Sequence, residues 1–181
     1  MNKYLIFLFL YFIFSQQNIF AKEIYGNARI IDGDSVEINN EEIRFLGIDA
    51  FEKKQKCYRK NGASDNCGEK STKILYKIIS NQPIRCITKK KDRHKRLLAT
   101  CYIGALNINE NMVLSGYALS FMSKKYKDAQ KEAKKSNAGA WSGGFIHPSK
   151  WRKLEREGLR DIHIGNPLSS ISQSKFEEKR K

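Results

Sequence analysis

A chain of 181 residues is long enough to bury a hydrophobic core without help and short enough for one domain with appendages. Its 34 Lys and Arg against 19 Asp and Glu give a formal charge of +15. Such a surface favours polyanions, nucleic acid first and an anionic membrane or cell-wall polymer second, and charge alone does not choose among these.

The N-terminus opens with the short positive segment MNK. An uninterrupted apolar run follows from Tyr4 to Phe14, and SQQNIFA leads to a cleavage point after Ala21. This pattern predicts an export signal over residues 1–21, because the apolar run falls short of the roughly 20 residues that a membrane-crossing helix needs. Ile19 stands where a small residue is usual, so an uncleaved membrane anchor is the alternative.

In the mature chain the periodicities predict strands first and helices later. EIYGNARII and SVEI form a hairpin through Asp32-Gly33, and EEIRFLGI continues the meander after the Asn39-Asn40 turn. Asp65 to Ser80 reads as a helix with Ile74, Leu75, Ile78 and Ile79 on one face. IRCIT and LLATCYI then form a second hairpin around the basic loop KKKDRHKR. NENMVLSG predicts a short helix from Asn109 to Gly116, YALSF a brief strand, and KDAQKEAKKSNAG a surface helix ended by Gly139. Five short strands with a helix inserted after the third suit an α+β, mainly β fold, a five-stranded OB-type Greek-key barrel with about three helices. The domain is expected over residues 22–151. Residues 152–181 are charged and polar and read as a flexible C-terminal tail, although Arg152 to Arg160 could extend a helix.

All four cysteines follow the signal, and an even number in an oxidising compartment predicts two disulfides. Cys86 and Cys101 are equidistant from the hairpin tip at Asp92 to Lys95, so a regular hairpin places them opposite one another. That leaves Cys57 with Cys67. A zinc site with His94 is the competing idea, but neither CxxC nor HxxxH spacing occurs.

The carboxylates gather at one end of this sheet. Asp32 and Asp34 close the first hairpin, Asp49 and Glu52 directly follow the third strand, and the turn at Gly33 brings the two sets together. Several carboxylates in one place call for a cation, and a hard metal ion with oxygen ligands is the natural one. The spacing is not that of an EF-hand, since Glu37 occupies the sixth position and Ile43 the twelfth. Arg44 on the third strand and Arg96 at the end of the basic loop supply guanidinium groups suited to a phosphodiester.

IDGDSVEI, IRFLGIDAFE and DRHKRLLA, in this order and at these separations, resemble the staphylococcal nuclease (thermonuclease) family over roughly Tyr25 to Trp141. The resemblance implies an OB barrel with helices and a calcium-dependent phosphodiesterase acting on DNA and RNA. It implies that Asp34, Asp49 and the backbone carbonyl of Ala50 would ligate Ca²⁺, with Asp32 hydrogen-bonding the metal's waters. Glu52 would act as general base or orient the attacking water, and Arg44 and Arg96 would bind the phosphate and stabilise the transition state. The cysteine positions and AWSGGFIHPSKWRK resemble an exported bacterial branch of that family.

Three departures from the pattern stand out. Ala50 occupies the place of a threonine, Phe51 that of a proline, and His94-Lys95 that of an aromatic residue and a glycine. Phe51 is expected to loosen the turn before Glu52, and His94 to change stacking on a base. Lys89, Lys90, Lys91, Arg93, His94 and Lys95 are the expected nucleic-acid contacts, with Phe121 and Tyr126 as weaker candidates. The whole predicts an extracytoplasmic monomer without an obligate protein partner, touching membrane only if its N-terminal segment is uncleaved. A noncatalytic OB module that binds nucleic acid or an anionic envelope polymer through the same basic face is the alternative.

Overall fold

Alternation in SVEI and EEIRF sends Val36, Ile38, Ile43 and Phe45 to one side of a sheet, and all four are buried. The computed structural model describes residues 21–158. Residues 1–20 of the expected signal and residues 159–181 of the expected tail lie outside the described residues.

The first strands are β1 (Lys22–Gly26), β2 (Arg29–Ile30), β3 (Ser35–Ile38), β4 (Glu41–Phe45) and β5 (Ile48–Ala50). The short β6 (Cys57–Tyr58) and β7 (Ser64–Asp65) precede helix α1 (Cys67–Ile79). Next come the long hairpin of β8 (Ile84–Lys91) and β9 (Leu97–Ile103), then β10 (Leu106–Asn107), helix α2 (Ile108–Leu114) and β11 (Ala118–Ser120). The chain continues through α3 (Lys127–Lys135), a 3-10 turn (Gly139–Ser142), β12 (Gly144–Phe145) and α4 (Pro148–Arg156). Four α-helices therefore lie among the described residues, one more than the expected three.

The main sheet runs β1-β8-β9-β4-β3-β2, with β10 beside β9. β4 and β9 pair in parallel, and the other pairings are antiparallel. The expected first strand is broken at Asn27-Ala28 into β1, which pairs with β8, and β2, which pairs with β3. Consecutive pieces of one strand thus occupy both edges of the sheet, so the sheet curls round on itself. This is the OB Greek-key arrangement read from the sequence.

Ile24, Val36, Ile38, Ile43, Phe45, Ile84 and Ala99 fill the inside of the curl. Leu75 and Ile79 of α1 and Ile108, Met112 and Val113 of α2 join the same core, with Ile74 and Ile78 partly buried beside them. Each such Leu or Ile contributes about 1.5–3 kcal/mol by leaving water. Cys86 and Cys101 face each other in the hairpin register and are disulfide-bonded, as are Cys57 and Cys67. The Cys57–Cys67 bridge packs with Phe51 and Ala140 in a second small core under the loop that follows β5.

The boundary expected after Trp151 falls inside α4. His147 caps this helix by accepting from the Ser149 amide, and Pro148 opens it, a position where a missing amide hydrogen costs nothing. Trp151 and Leu154 are buried with Ile146, and the helix packs against β5.

Candidate active site

The turn between β2 and β3 spans Ile31 to Asp34, and the Ile31 and Asp32 amides both donate to the Ser35 carbonyl, at 3.0 and 3.3 Å. Asp32 braces it by accepting from the Asp34 amide at 3.0 Å, so its nearer role is that of a turn-forming side chain. Gly33 is required by proximity: a Cβ there would meet Ser71 Oγ of α1 at 1.9 Å and the Ala50 Cβ at 2.9 Å. Helix, turn and the end of β5 are therefore pressed together at the point where Asp34 enters.

Register brings the second carboxylate. Ser35 lies opposite Arg44, the Phe45 amide donates to the Asp34 carbonyl at 2.8 Å, and Asp49 at the centre of β5 is opposite Leu119 of β11. Asp34 Oδ2 accepts from the Ala50 amide at 2.9 Å, and Oδ1 accepts from the Ser35 hydroxyl at 3.1 Å and from Arg44 at 2.7 Å. The other arm of Arg44 donates to Asp49 Oδ1 at 3.0 Å. Asp34 and Asp49 are both buried, Asp49 completely. Burial is the largest influence on Asp34, and with Asp32 and Asp49 nearby it outweighs Arg44 and the Ala50 amide, so the carboxyl is pushed up to about 7.

Glu52 follows two residues beyond Ala50. Its backbone is fixed by Gln55, fully buried, whose side chain accepts from the Glu52 amide at 3.2 Å while its own amide donates to the Glu52 carbonyl at 2.7 Å. Phe51, expected to loosen this turn, is held by packing. Its ring is buried edge-on to Phe145, with centroids 5.1 Å apart, so packing replaces the rigidity of a proline.

A residue that the sequence reading left in the tail completes the cluster. Arg152 of α4 donates to Asp49 Oδ1 at 2.9 Å and Oδ2 at 3.0 Å, and to Glu52 Oε1 at 2.6 Å. Burial disfavours its charge, but these bonds more than offset that and raise its pKa above the ordinary arginine value. The only local signal for Arg152 is its place in a short helix with buried Trp151 and Leu154, which says nothing of its partners. Gln55 was missed because it belongs to no motif and its second partner, Ile146, lies 91 residues away.

Arg96 is held elsewhere. Asp92 accepts from its amide at 3.0 Å and from its guanidinium at 2.9 and 2.8 Å, and Glu42 lies at 4.0 Å. Burial raises the Asp92 carboxyl, yet the bonds from Arg96 and His94 prevail and hold it below the usual aspartate range. Arg96 immediately precedes Leu97, the β9 partner of Ile43, so it lies at the entry to the strand that pairs with β4. Lys90, Lys91, Arg93, His94 and Lys95 are exposed at the hairpin's basic end. Lys95 takes the left-handed conformation, φ 66°, which a glycine would hold without strain. Lys89 lies in β8. Phe121 is partly exposed beside the Gly47 carbonyl, to which its amide donates at 2.9 Å. Tyr126 is no candidate for stacking on a base, because it is 1% exposed, packed in the core against Gly47.

Among the described residues no group of three or more His, Cys, Asp or Glu is clustered tightly enough to hold a metal by itself. Asp34 and Asp49 nevertheless present hard oxygen donors whose oxygens converge on one guanidinium, and hard oxygens are the donor chemistry of calcium. Three carboxylates against Arg44 and Arg152 also leave an excess of one negative charge when all are ionised.

The model of the family described as staphylococcal nuclease homologue matches residues 42–143. The chain is 34% identical over 126 residues to a succinoglycan biosynthesis protein, ExoI, of Rhizobium meliloti, covering 67% of this chain and 66% of that one. It is 32% identical over 154 residues to an uncharacterized endonuclease of Haemophilus influenzae, covering 80% of each. It is 28% identical over 134 residues to a thermonuclease of Staphylococcus hyicus, covering 67% of this chain and 77% of that one.

Proposed function

Because this chain belongs to the staphylococcal nuclease family, we propose that it is an exported, calcium-dependent nuclease that hydrolyses phosphodiester bonds of DNA, RNA or both. The observation that carries this reading is the bridge from Arg44 to Asp34 and Asp49, two buried carboxylates, one from the β2–β3 turn and one from β5, with Glu52 beside them. Binding polyanions calls for exposed cations, whereas here two arginines are taken up by buried acidic groups, Arg44 by Asp34 and Asp49 and Arg152 by Asp49.

Asp34, Asp49 and the Ala50 carbonyl would hold the calcium ion, with Asp32 at the turn behind them. A bound calcium supplies Lewis-acid charge that offsets the negative charge growing on the phosphoryl oxygens. Glu52 orients the attacking water and takes its proton at a carboxylate oxygen. The water oxygen bonds to phosphorus as the bond to the leaving oxygen breaks. Arg44 and Arg96 donate to the phosphate oxygens, Arg96 exchanging its Asp92 partner for the substrate. The exposed Lys90, Lys91 and Arg93 add a charge-based, sequence-independent attraction for the strand.

Two disulfides support an oxidising, extracytoplasmic compartment, in keeping with the export signal expected from the sequence. Among the described residues no helix is long and apolar enough to cross a membrane.

Purified protein incubated with plasmid and with RNA in calcium or in chelator tests the proposal. Cleavage in calcium that is lost with chelator and in Glu52→Gln supports it. Intact nucleic acid in calcium, retarded in gels by folded protein, would assign the binding module instead.

A further inference from the structure

Arg152 is delivered from the far end of the described chain, 103 residues from Asp49, yet it makes three hydrogen bonds to two carboxylates of the site. Asp49 is rigid, being buried within β5 and paired with β11. Glu52 is different: its carboxylate is 35% exposed, and among the described residues Arg152 is its hydrogen-bond partner. The guanidinium fork therefore ties a free-standing side chain to a fixed one.

The helix carrying the fork is itself anchored to the same loop by a second route. The Gln55 side chain, whose oxygen holds the Glu52 amide, donates from its nitrogen to the Ile146 carbonyl at 2.5 Å. Ile146 packs with Trp151 and Leu154, and Phe145 packs on Phe51. Backbone and side chain of Glu52 are thus both referred to the segment from Phe145 to Leu154. A guanidinium stays protonated and carries no proton to or from substrate, so its use here is geometric and electrostatic.

Resting on the nuclease reading above, we propose that Arg152 is a positioning residue of the catalytic centre, clamping the Glu52 carboxylate to Asp49, and that α4 is an integral part of that centre. Arg44 already joins Asp49 to Asp34, so Arg152 supplies what Arg44 does not, the connection to the base. A misplacement of about 1 Å at a reacting group is enough to cost about 100-fold in rate.

The electrostatic effect of removing Arg152 has the opposite sign to its effect on catalysis. A cation bonded to Asp49 repels calcium, so its loss leaves calcium affinity undiminished or greater while turnover falls. Arg152→Gln, Arg152→Lys and wild type are compared for kcat and KM on a DNA substrate, calcium affinity by calorimetry without substrate, and melting temperature in chelator. The expected result for Arg152→Gln is a kcat lower by about 100-fold, a KM within about threefold, and calcium binding no weaker than wild type. Arg152→Lys keeps the charge without the fork and falls between the two. A kcat within threefold of an active wild type overturns the inference alone. A joint loss of kcat, calcium affinity and melting temperature in both variants overturns it in favour of a purely structural α4. An inactive wild type overturns the nuclease reading and this inference with it.

Discussion

Arg44 bonds Asp34 with one arm at 2.7 Å and Asp49 with the other at 3.0 Å, so one guanidinium joins the β2–β3 turn to β5. Its side chain is only 19% exposed, and breaking a buried ion pair by removing one partner typically costs about 3–5 kcal/mol. Arg152 still holds Asp49, so Arg44→Gln is expected to lose about 3 kcal/mol in chelator, the lower end of that range. Calcium should restore part of this loss, because it supplies the missing positive charge to the same two carboxylates. Urea denaturation with and without calcium measures both quantities, and an equal loss in the two conditions would speak against Asp34 and Asp49 as shared ligands.

The raised Asp34 pKa gives a pH dependence of definite sign. In the calcium-free native protein this carboxyl keeps its proton up to about pH 7, whereas the ordinary aspartate value is 3.8. The folded state therefore binds the extra proton between those values, and its contribution to stability is lost as pH rises through that window. On the proposed ligation calcium requires the ionised form, so its affinity should increase as pH rises toward 7, with release of about one proton per ion at pH 6. Calorimetry in buffers of different ionisation enthalpy counts that proton. Asp34→Asn should abolish the release, and release undiminished in the variant would assign the proton to another group.

The two disulfides should separate stability from catalysis. Cys57–Cys67 closes a loop spanning ten residues of sequence, for which chain-entropy arguments give about 2–3 kcal/mol, and Cys86–Cys101 closes one of fifteen, for about 3 kcal/mol. Similar losses of stability are expected for Cys57→Ser with Cys67→Ser and for Cys86→Ser with Cys101→Ser. Only the first pair shares a small core with Phe51, next to Glu52. The first double variant is expected to lose at least tenfold in kcat at a temperature where both are folded, and the second to stay near wild type. Equal kcat in the two would show that the Phe51 loop holds Glu52 without the bridge.

Local geometry made half of this site readable. Asp34 and Asp49 follow from a hairpin and the strand after it, and the symmetric spacing of Cys86 and Cys101 places them in register, because short antiparallel pairings are set by turn and alternation. Arg152 reaches Asp49 across 103 residues, and its charge in WRK is indistinguishable by pattern from a solvated helix face. Tyr126 misled for the converse reason: the segment around it is strongly polar, and its burial depends on the space left by Gly47 on the β4–β5 turn. The Asp92 clamp on Arg96 lay within DRHKR, but net charge alone reads that segment as a basic loop and overlooks the one acid that organises it.

Lys95 shows how a departure from the family pattern is accommodated. The hairpin tip needs a left-handed residue at this position, and Asp92 accepts from the His94 and Arg96 amides at 2.8 and 3.0 Å to hold the turn around it. A left-handed conformation costs an ordinary residue roughly 1–2 kcal/mol, while glycine forfeits about 0.5–1 kcal/mol through its freer unfolded chain. The balance predicts that Lys95→Gly stabilises the protein by about 0.5–1 kcal/mol, as measured by urea denaturation. Nuclease activity at moderate salt should fall by no more than a few fold, since one of several exposed cations is removed while Arg96 keeps its place. Destabilisation by this substitution would mean that the Lys95 side chain makes a favourable contact large enough to outweigh the strain of its backbone.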